Sequence, residues 1–193
     1  TEIYTLTHSS AASDVYKRQV QHCTFFINSL CHTIGKQPYN TENSARDSAI
    51  MAVFTCGEGY HNYHHAFQHD YRNGVKPWQF DPTKWMIWLL SKVGLTSDLR
   101  RVSDEKILLA EMREARRQAD KLKAIEPEAA LCDKAMEVFH NFSQRLTDSY
   151  SELEQAISDK VTVSRKAMVQ WQKETREFMR HVSLLNRQLQ SPA

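Results

Sequence analysis

Gly57-Glu58-Gly59-Tyr60-His61-Asn62-Tyr63-His64-His65-Ala66-Phe67 decides the reading of this chain, because three of its nine histidines fall inside it. A helix over the histidines places His61, His64 and His65 at i, i+3 and i+4, with all three rings on one face. Neutral imidazole is the commonest side-chain ligand of transition metals, so the face makes part of a metal site. The same residues also fit a polar, partly solvated helix start. Against that, three groups of like charge would repel one another when protonated. An all-nitrogen donor set suits iron, zinc, copper or nickel, and spacing alone does not choose among them. The HExxH pattern of zinc proteases is absent, and no glutamate stands where that mechanism needs its base.

The phrase from Gly57 to His65, followed by Phe67 and Asp70-Tyr71-Arg72, resembles the third histidine box of the membrane fatty acyl desaturases, in particular the delta-9-type acyl-CoA and acyl-lipid branch. The likeness extends upstream through Asn28-Ser29-Leu30-Cys31-His32, Gly35 and Pro38-Tyr39, and fades after about Lys106. It implies a di-iron (Fe2+) centre with His32, His61, His64 and His65 as ligands and Asn28 joined through water. It also implies an aromatic wall for the acyl chain at Phe25, where the family commonly has tryptophan. His22 and His69 match no ligand position and are expected to be structural or on the surface.

Residues 1–19 (TEIYTLTHSSAASDVYKRQ) lack sustained periodicity and lack a basic start leading into an apolar run, so they do not form a signal peptide. The resemblance places a transmembrane helix there, and none can be read. The expectation is a foreign leader on a C-terminal piece of a longer protein. Composition is ordinary: 41% hydrophobic, 25% charged and a net charge of +2, which leaves no electrostatic footprint for nucleic acid. No apolar run reaches the roughly eighteen residues that a membrane span needs. The four cysteines show no CxxC spacing and are expected to be reduced core residues.

Val20 to Gly35 is moderately apolar and too short to span a bilayer, but it fits the last turns of a helix. Asn28 and His32 share its face at i, i+4. Gly35 and Pro38 end it, and a polar loop runs to Ser44. A second helix beginning near Ser44 or Arg46 is expected to carry Ala49, Ile50, Ala52, Val53 and Phe54 into the Gly57/Gly59 break. That break would bring the His61 face to His32.

Lys76-Pro77-Trp78-Gln79-Phe80-Asp81-Pro82 reads as a Pro-bounded aromatic turn. It opens a helix of about three turns, Thr83 to Leu95, with Trp85 and Trp88 among apolar neighbours. Aromatics with flanking lysines suit a membrane–water interface, and a buried core helix is the competing reading. From Ser103 the pattern becomes amphipathic: Leu108, Met112, Ala115, Ala119 and Leu122, with Arg113, Arg116, Arg117, Lys121 and Lys123 elsewhere. Pro127 interrupts it. Two further series follow, from Ala135 to Ile157 and from Met168 to Leu189, at the spacing of paired helices. A turn between them is expected at Ser158–Ser164, where Asp159, Thr162 and Ser164 weaken helix propensity and Val161 and Val163 are β-branched. His140 and His181 stand alone in these helices.

The fold expected is mainly α: the cytosolic cap and final transmembrane-helix end of a membrane di-iron desaturase, followed by an amphipathic helical tail. Three parts are expected: 1–19 unmatched, 20–106 the C-terminal part of a desaturase domain, and 107–193 the tail. The resemblance implies insertion of a cis double bond into a saturated acyl chain with O2 and external electrons. It implies a fatty acyl-CoA or acyl-lipid substrate and an electron donor such as cytochrome b5 or ferredoxin. It also implies residence in the endoplasmic reticulum or bacterial inner membrane, with the active-site cap on the cytosolic side. The family's first two histidine boxes have no counterpart here, and four histidines cannot saturate two irons. The chain alone is therefore expected to be inactive. Two other classes fit the residues: a soluble helical module holding one metal, and an interaction protein working through its tail.

Overall fold

The computed structural model describes residues 13–18, 21–22, 24–25, 27–125 and 133–190, with the side chains of 122–125, 133–136 and 186–190 left aside. The Pro127 break, most of the 1–19 leader, Cys23 and Cys132 lie outside the described residues. The described backbone is mainly helical, with two isolated bridges as its extended pairing. It divides into two compact units: residues 1–37 with 42–101, and residues 38–41 with 102–193.

The first unit is built from short helices tied by polar side chains. Helical backbone at 27–30 gives way to a turn over 31–33, and Cys31 there is fully buried. Extended pairing then links Lys36 to Asp47 and Asp47 to Tyr60, so three segments meet at Asp47. Helix α1, Ala49–Phe54, starts at Ser48, whose hydroxyl accepts the Met51 N–H. It buries Met51 and Ala52 and leaves Ile50, Val53 and Phe54 in the open. A helix of six residues has one narrow inward stripe, and only i, i+1 neighbours at its centre fit into it.

The chain then breaks through Cys56 (φ +52°) and Gly57 (φ +106°). Cys56 is exposed, so the expectation of a core residue fails there, whereas Cys31 meets it. Gly59 is required for closeness: a β-carbon on it would stand 2.0 Å from the Ala52 nitrogen. Its carbonyl accepts the Ser48 N–H at 2.8 Å. Helix α2, His61–Ala66, follows at once.

Helix α3, Pro82–Lys92, begins with proline in its first turn and Asp81 as N-cap. The Asp81 carboxylate accepts N–H bonds from Lys84, Asn73 and Gly74 at 2.8–2.9 Å. Lys84 is buried and spends its ammonium on the carbonyls of Gly74, Lys76 and Gln79. Burial draws its pKa down, opposed by the Asp81 charge. Trp85, Met86, Trp88 and Leu89 are exposed along this helix.

The second unit is a three-helix bundle of α4 (Asp104–Ile125), α5 (Asp133–Ser158) and α6 (Arg165–Gln190), each packed on the other two. Leu108, Met112, Ala115, Ala119, Phe139, Leu146, Tyr150, Leu153, Phe178 and Val182 form its buried core. These are members of the three sequence series, whose spacing turns one stripe of each helix inward. The turn between α5 and α6 falls at 159–164, inside the expected stretch, with Lys160 at φ +54°. The expected hairpin is thus one side of a larger bundle that α4 completes. His140 is exposed, whereas His181 stacks on Phe142 with ring centroids 5.0 Å apart.

Candidate metal centre

Two pieces of chain bring the histidines together. His32 comes from the turn after the first helical stretch, and His61 and His65 come from opposite ends of α2. The Nε2 atom of His61 stands 3.1 Å from that of His32 and 3.1 Å from that of His65. One nitrogen from each ring lies within 4.8 Å of the others. The His64 ring stacks beside this group, its centroid 6.0 Å from that of His61 and 5.9 Å from that of His65. Three of the four expected histidines therefore converge on one point, with the fourth on its flank.

Asn28 is exposed one turn before His32, and Phe25 is exposed with two-thirds of its surface free. His22 and His69 are exposed.

The electrostatics suit metal binding. Burial, followed by the charges of His65, His32 and His64, lowers the His61 pKa to about 4. Burial, then His64 and His32, lowers that of His65. Both rings are thus neutral near pH 7, the form that offers a lone pair. Three imidazoles facing each other through Nε2 cannot all be satisfied by mutual hydrogen bonds, since each ring nitrogen has either one N–H or one lone pair to give. A bound cation removes that conflict. An imidazole–metal bond of about 2.0–2.1 Å, the zinc value, sets neighbouring ligand nitrogens roughly 3 Å apart. The residues present fit a metal. Nδ1 of His61 is buried without a hydrogen-bond partner among the described residues.

Groups that sequence reading passed over hold this arrangement. One Oδ atom of Asp47 accepts the N–H groups of Asn62 and Tyr63, at 2.8 and 3.1 Å, and so caps α2 from a distant segment. Asn62 donates its side-chain amide to the Ala45 carbonyl at 2.9 Å. Tyr63 donates to Asp70, which also receives a two-pronged bond from Arg72 at 2.7 and 2.9 Å. This buried trio anchors the far side of α2. The signal for it was present in the Asp70-Tyr71-Arg72 phrase, whereas Asp47 and Ser44 carry no local motif.

No family model matches the chain. Individual relatives do. It is 48% identical over 105 residues to Acyl-CoA desaturase 1 of Saccharomyces cerevisiae, covering 54% of this chain and 21% of that protein. It is 45% identical over 105 residues to a probable acyl-CoA desaturase of Schizosaccharomyces pombe, covering 54% of this chain and 22% of the relative. Against the chloroplastic palmitoyl-monogalactosyldiacylglycerol delta-7 desaturase of Arabidopsis thaliana it is 39% identical over 85 residues, covering 44% and 23%. The chain thus spans about a fifth of the length of the curated relatives it matches. Over the part that aligns, about half of the chain, the sequence is similar to acyl-CoA desaturases and to a lipid desaturase alike.

Proposed function

We infer that this chain supplies part of the metal centre of an acyl desaturase. The convergence of the His32, His61 and His65 Nε2 atoms is the observation that supports it most directly. The metal is iron, present as a pair in the whole protein. His32, His61 and His65 would hold one ion, and His64, on the flank, would contribute to the second. Asn28 acts through water, and Phe25 lines the acyl slot. When bound, reduced iron supplies with O2 the oxidant that an unactivated C–H bond requires. Two hydrogens leave the acyl chain, and O2 with two protons and two electrons from an external donor ends as two waters.

The chain's own residues bind and orient. Burial keeps His61 and His65 neutral, Asp47 fixes the first turn of α2, and the Tyr63–Asp70–Arg72 trio fixes its register. Four imidazoles do not fill the coordination of two irons, so the remaining ligands belong to other segments of the whole protein. The substrate is a fatty acyl-CoA or acyl-lipid, and the electrons come from a donor such as cytochrome b5 or ferredoxin. Residues 20–106 form the C-terminal part of the desaturase domain, and residues 107–193 form a helical tail.

Among the described residues no helix is long and apolar enough to cross a membrane. Exposed Trp78, Trp85 and Trp88 each lie under a lysine ammonium, from Lys76, Lys84 and Lys92 respectively, at 5.3–5.8 Å. That pairing supports a seat at the bilayer surface, with the cap on the cytosolic side of the endoplasmic reticulum or bacterial inner membrane. The test uses the whole protein in a host lacking its own desaturase. Unsaturated acyl chains should appear with the native sequence and vanish with His61→Ala. Retention of most unsaturation by His61→Ala would overturn the assignment.

A further inference from the structure

The three converging imidazoles are not held alike. His61 and His65 ride on one helix whose N-terminus is pinned by Asp47 and whose far side is anchored by Tyr63. His32 arrives alone, on a turn whose backbone bonds close onto Ile27 and Leu30. Its ring has two free torsions and could swing away from the centre without disturbing α2. One contact at its Nδ1 atom opposes that: the Ser44 hydroxyl, 2.8 Å away and twelve residues further along.

The chemistry of the ring gives this contact a consequence. A neutral imidazole carries one proton, and which nitrogen is left free to bind a metal is set by the hydrogen bond that the other nitrogen makes. When Nδ1–H donates to the Ser44 oxygen, Nε2 keeps its lone pair, and Nε2 is the atom that meets His61 at 3.1 Å. The opposite tautomer puts a proton on Nε2, in the middle of the cluster, where it blocks coordination. A partner at the outer nitrogen therefore fixes both the torsion and the tautomer of a ligating histidine, and removal of such partners typically lowers metal affinity about 10–100-fold. Ser44 itself is placed by its neighbours: Ala45 is fully buried and its N–H bonds the Asn43 side chain at 3.1 Å, while Arg46 N–H bonds the Cys31 carbonyl at 2.7 Å, next to His32. The loop carrying Ser44 and the turn carrying His32 are thus tied together by backbone as well as by the hydroxyl.

We propose that Ser44 is a positioning residue of the metal centre, receiving the Nδ1 proton of His32 so that His32 Nε2 faces the metal as a lone-pair donor. This rests on the metal reading above, and the experiment separates the two. Co2+ is titrated into the full chain, following its visible absorption bands, and far-ultraviolet circular dichroism and melting without metal serve as folding controls. Ser44→Thr keeps the hydroxyl and Ser44→Val is nearly the same shape without it. Native chain and Ser44→Thr should bind Co2+ alike with the same band pattern, and Ser44→Val about tenfold or more weakly with a shifted pattern, at unchanged helix content and metal-free melting. His32→Ala should lose the site. If His32→Ala weakens binding and Ser44→Val matches Ser44→Thr, the role of Ser44 is overturned and the metal reading stands. If His32→Ala binds Co2+ as the native chain does, both fall. If Ser44→Val loses metal-free stability as well, a Ser44→Thr chain equally weak in Co2+ overturns the proposal, because the hydroxyl is then not what matters.

Discussion

At the scale of single residues, Asp47 does the most with the least sequence signal. It pairs its backbone with Lys36 and Tyr60 and gives one carboxylate oxygen to two N–H groups at the start of α2. Burial pushes its carboxyl up to about 7, against the downward pull of the Tyr63 and Asn62 N–H bonds. An acid whose pKa is higher folded than unfolded favours the fold when protonated. Its contribution is full below the unfolded value of 3.8, shrinks as pH rises, and is gone above about 7. Chemical denaturation of the native chain from pH 4 to pH 8 should therefore show this decline in stability, and Asp47→Asn should flatten that part of the profile. Asp47→Ala, which leaves two helix-start donors unmet, should cost about 1–2 kcal/mol at pH 7. An unchanged profile in Asp47→Asn would assign the pH dependence elsewhere.

At the scale of elements, the two units use different adhesives. The short helices of the first unit bury little apolar surface and are fixed by capping carboxylates, a buried Arg72–Asp70 pair and a lysine held by three carbonyls. The bundle helices instead bury a continuous apolar stripe, centred on Met112, Leu153 and Phe178. In the first unit, close backbone approach stands in for side-chain packing. Gly59 lies against the backbone of Met51 and Ala52, leaving no room for a methyl group. Gly59→Ala should destabilise that unit by more than about 2 kcal/mol, since backbone cannot step aside as a side chain can. Thermal melting followed by the Co2+ bands should show the histidine site lost at a lower temperature. A native-like melt would mean that the α1–α2 connection yields.

At the scale of the whole molecule, an ordinary composition coexists with an unusual distribution of apolar surface. Ile50, Phe54, Trp78, Trp88 and Leu95 are all at least half exposed in the first unit, and Trp85 is exposed beside them. These side chains and the three lysine–tryptophan pairs are the observations behind the proposed seat at a bilayer boundary. Mixing the chain with phosphatidylcholine vesicles should shift its tryptophan emission to the blue and carry it into the floating fraction. Trp85→Ser with Trp88→Ser should weaken flotation several-fold. Emission unmoved by vesicles, or a double variant that floats as well as the native chain, would remove the interfacial reading.

The sequence by itself determined the site's donors and the bundle's faces, because both depend on spacing along a helix. His61 and His65 are four residues apart, which alone commits them to one side. The series through Met112, Phe139 and Phe178 likewise carries its inward direction in its period. Even the α5–α6 turn was legible, since Asp159 to Ser164 is a run of poor helix formers. Tertiary structure decided what spacing cannot encode. It set His64 beside the converging trio, turned Ile50, Val53 and Phe54 outward, and added α4 to the expected hairpin. It also supplied Ser44 to His32 and Asp47 to α2, contacts made across twelve and fifteen residues of chain. Such partners are chosen by where a loop folds back, and that depends on Gly59 and the backbone pairing around Asp47 rather than on any local periodicity.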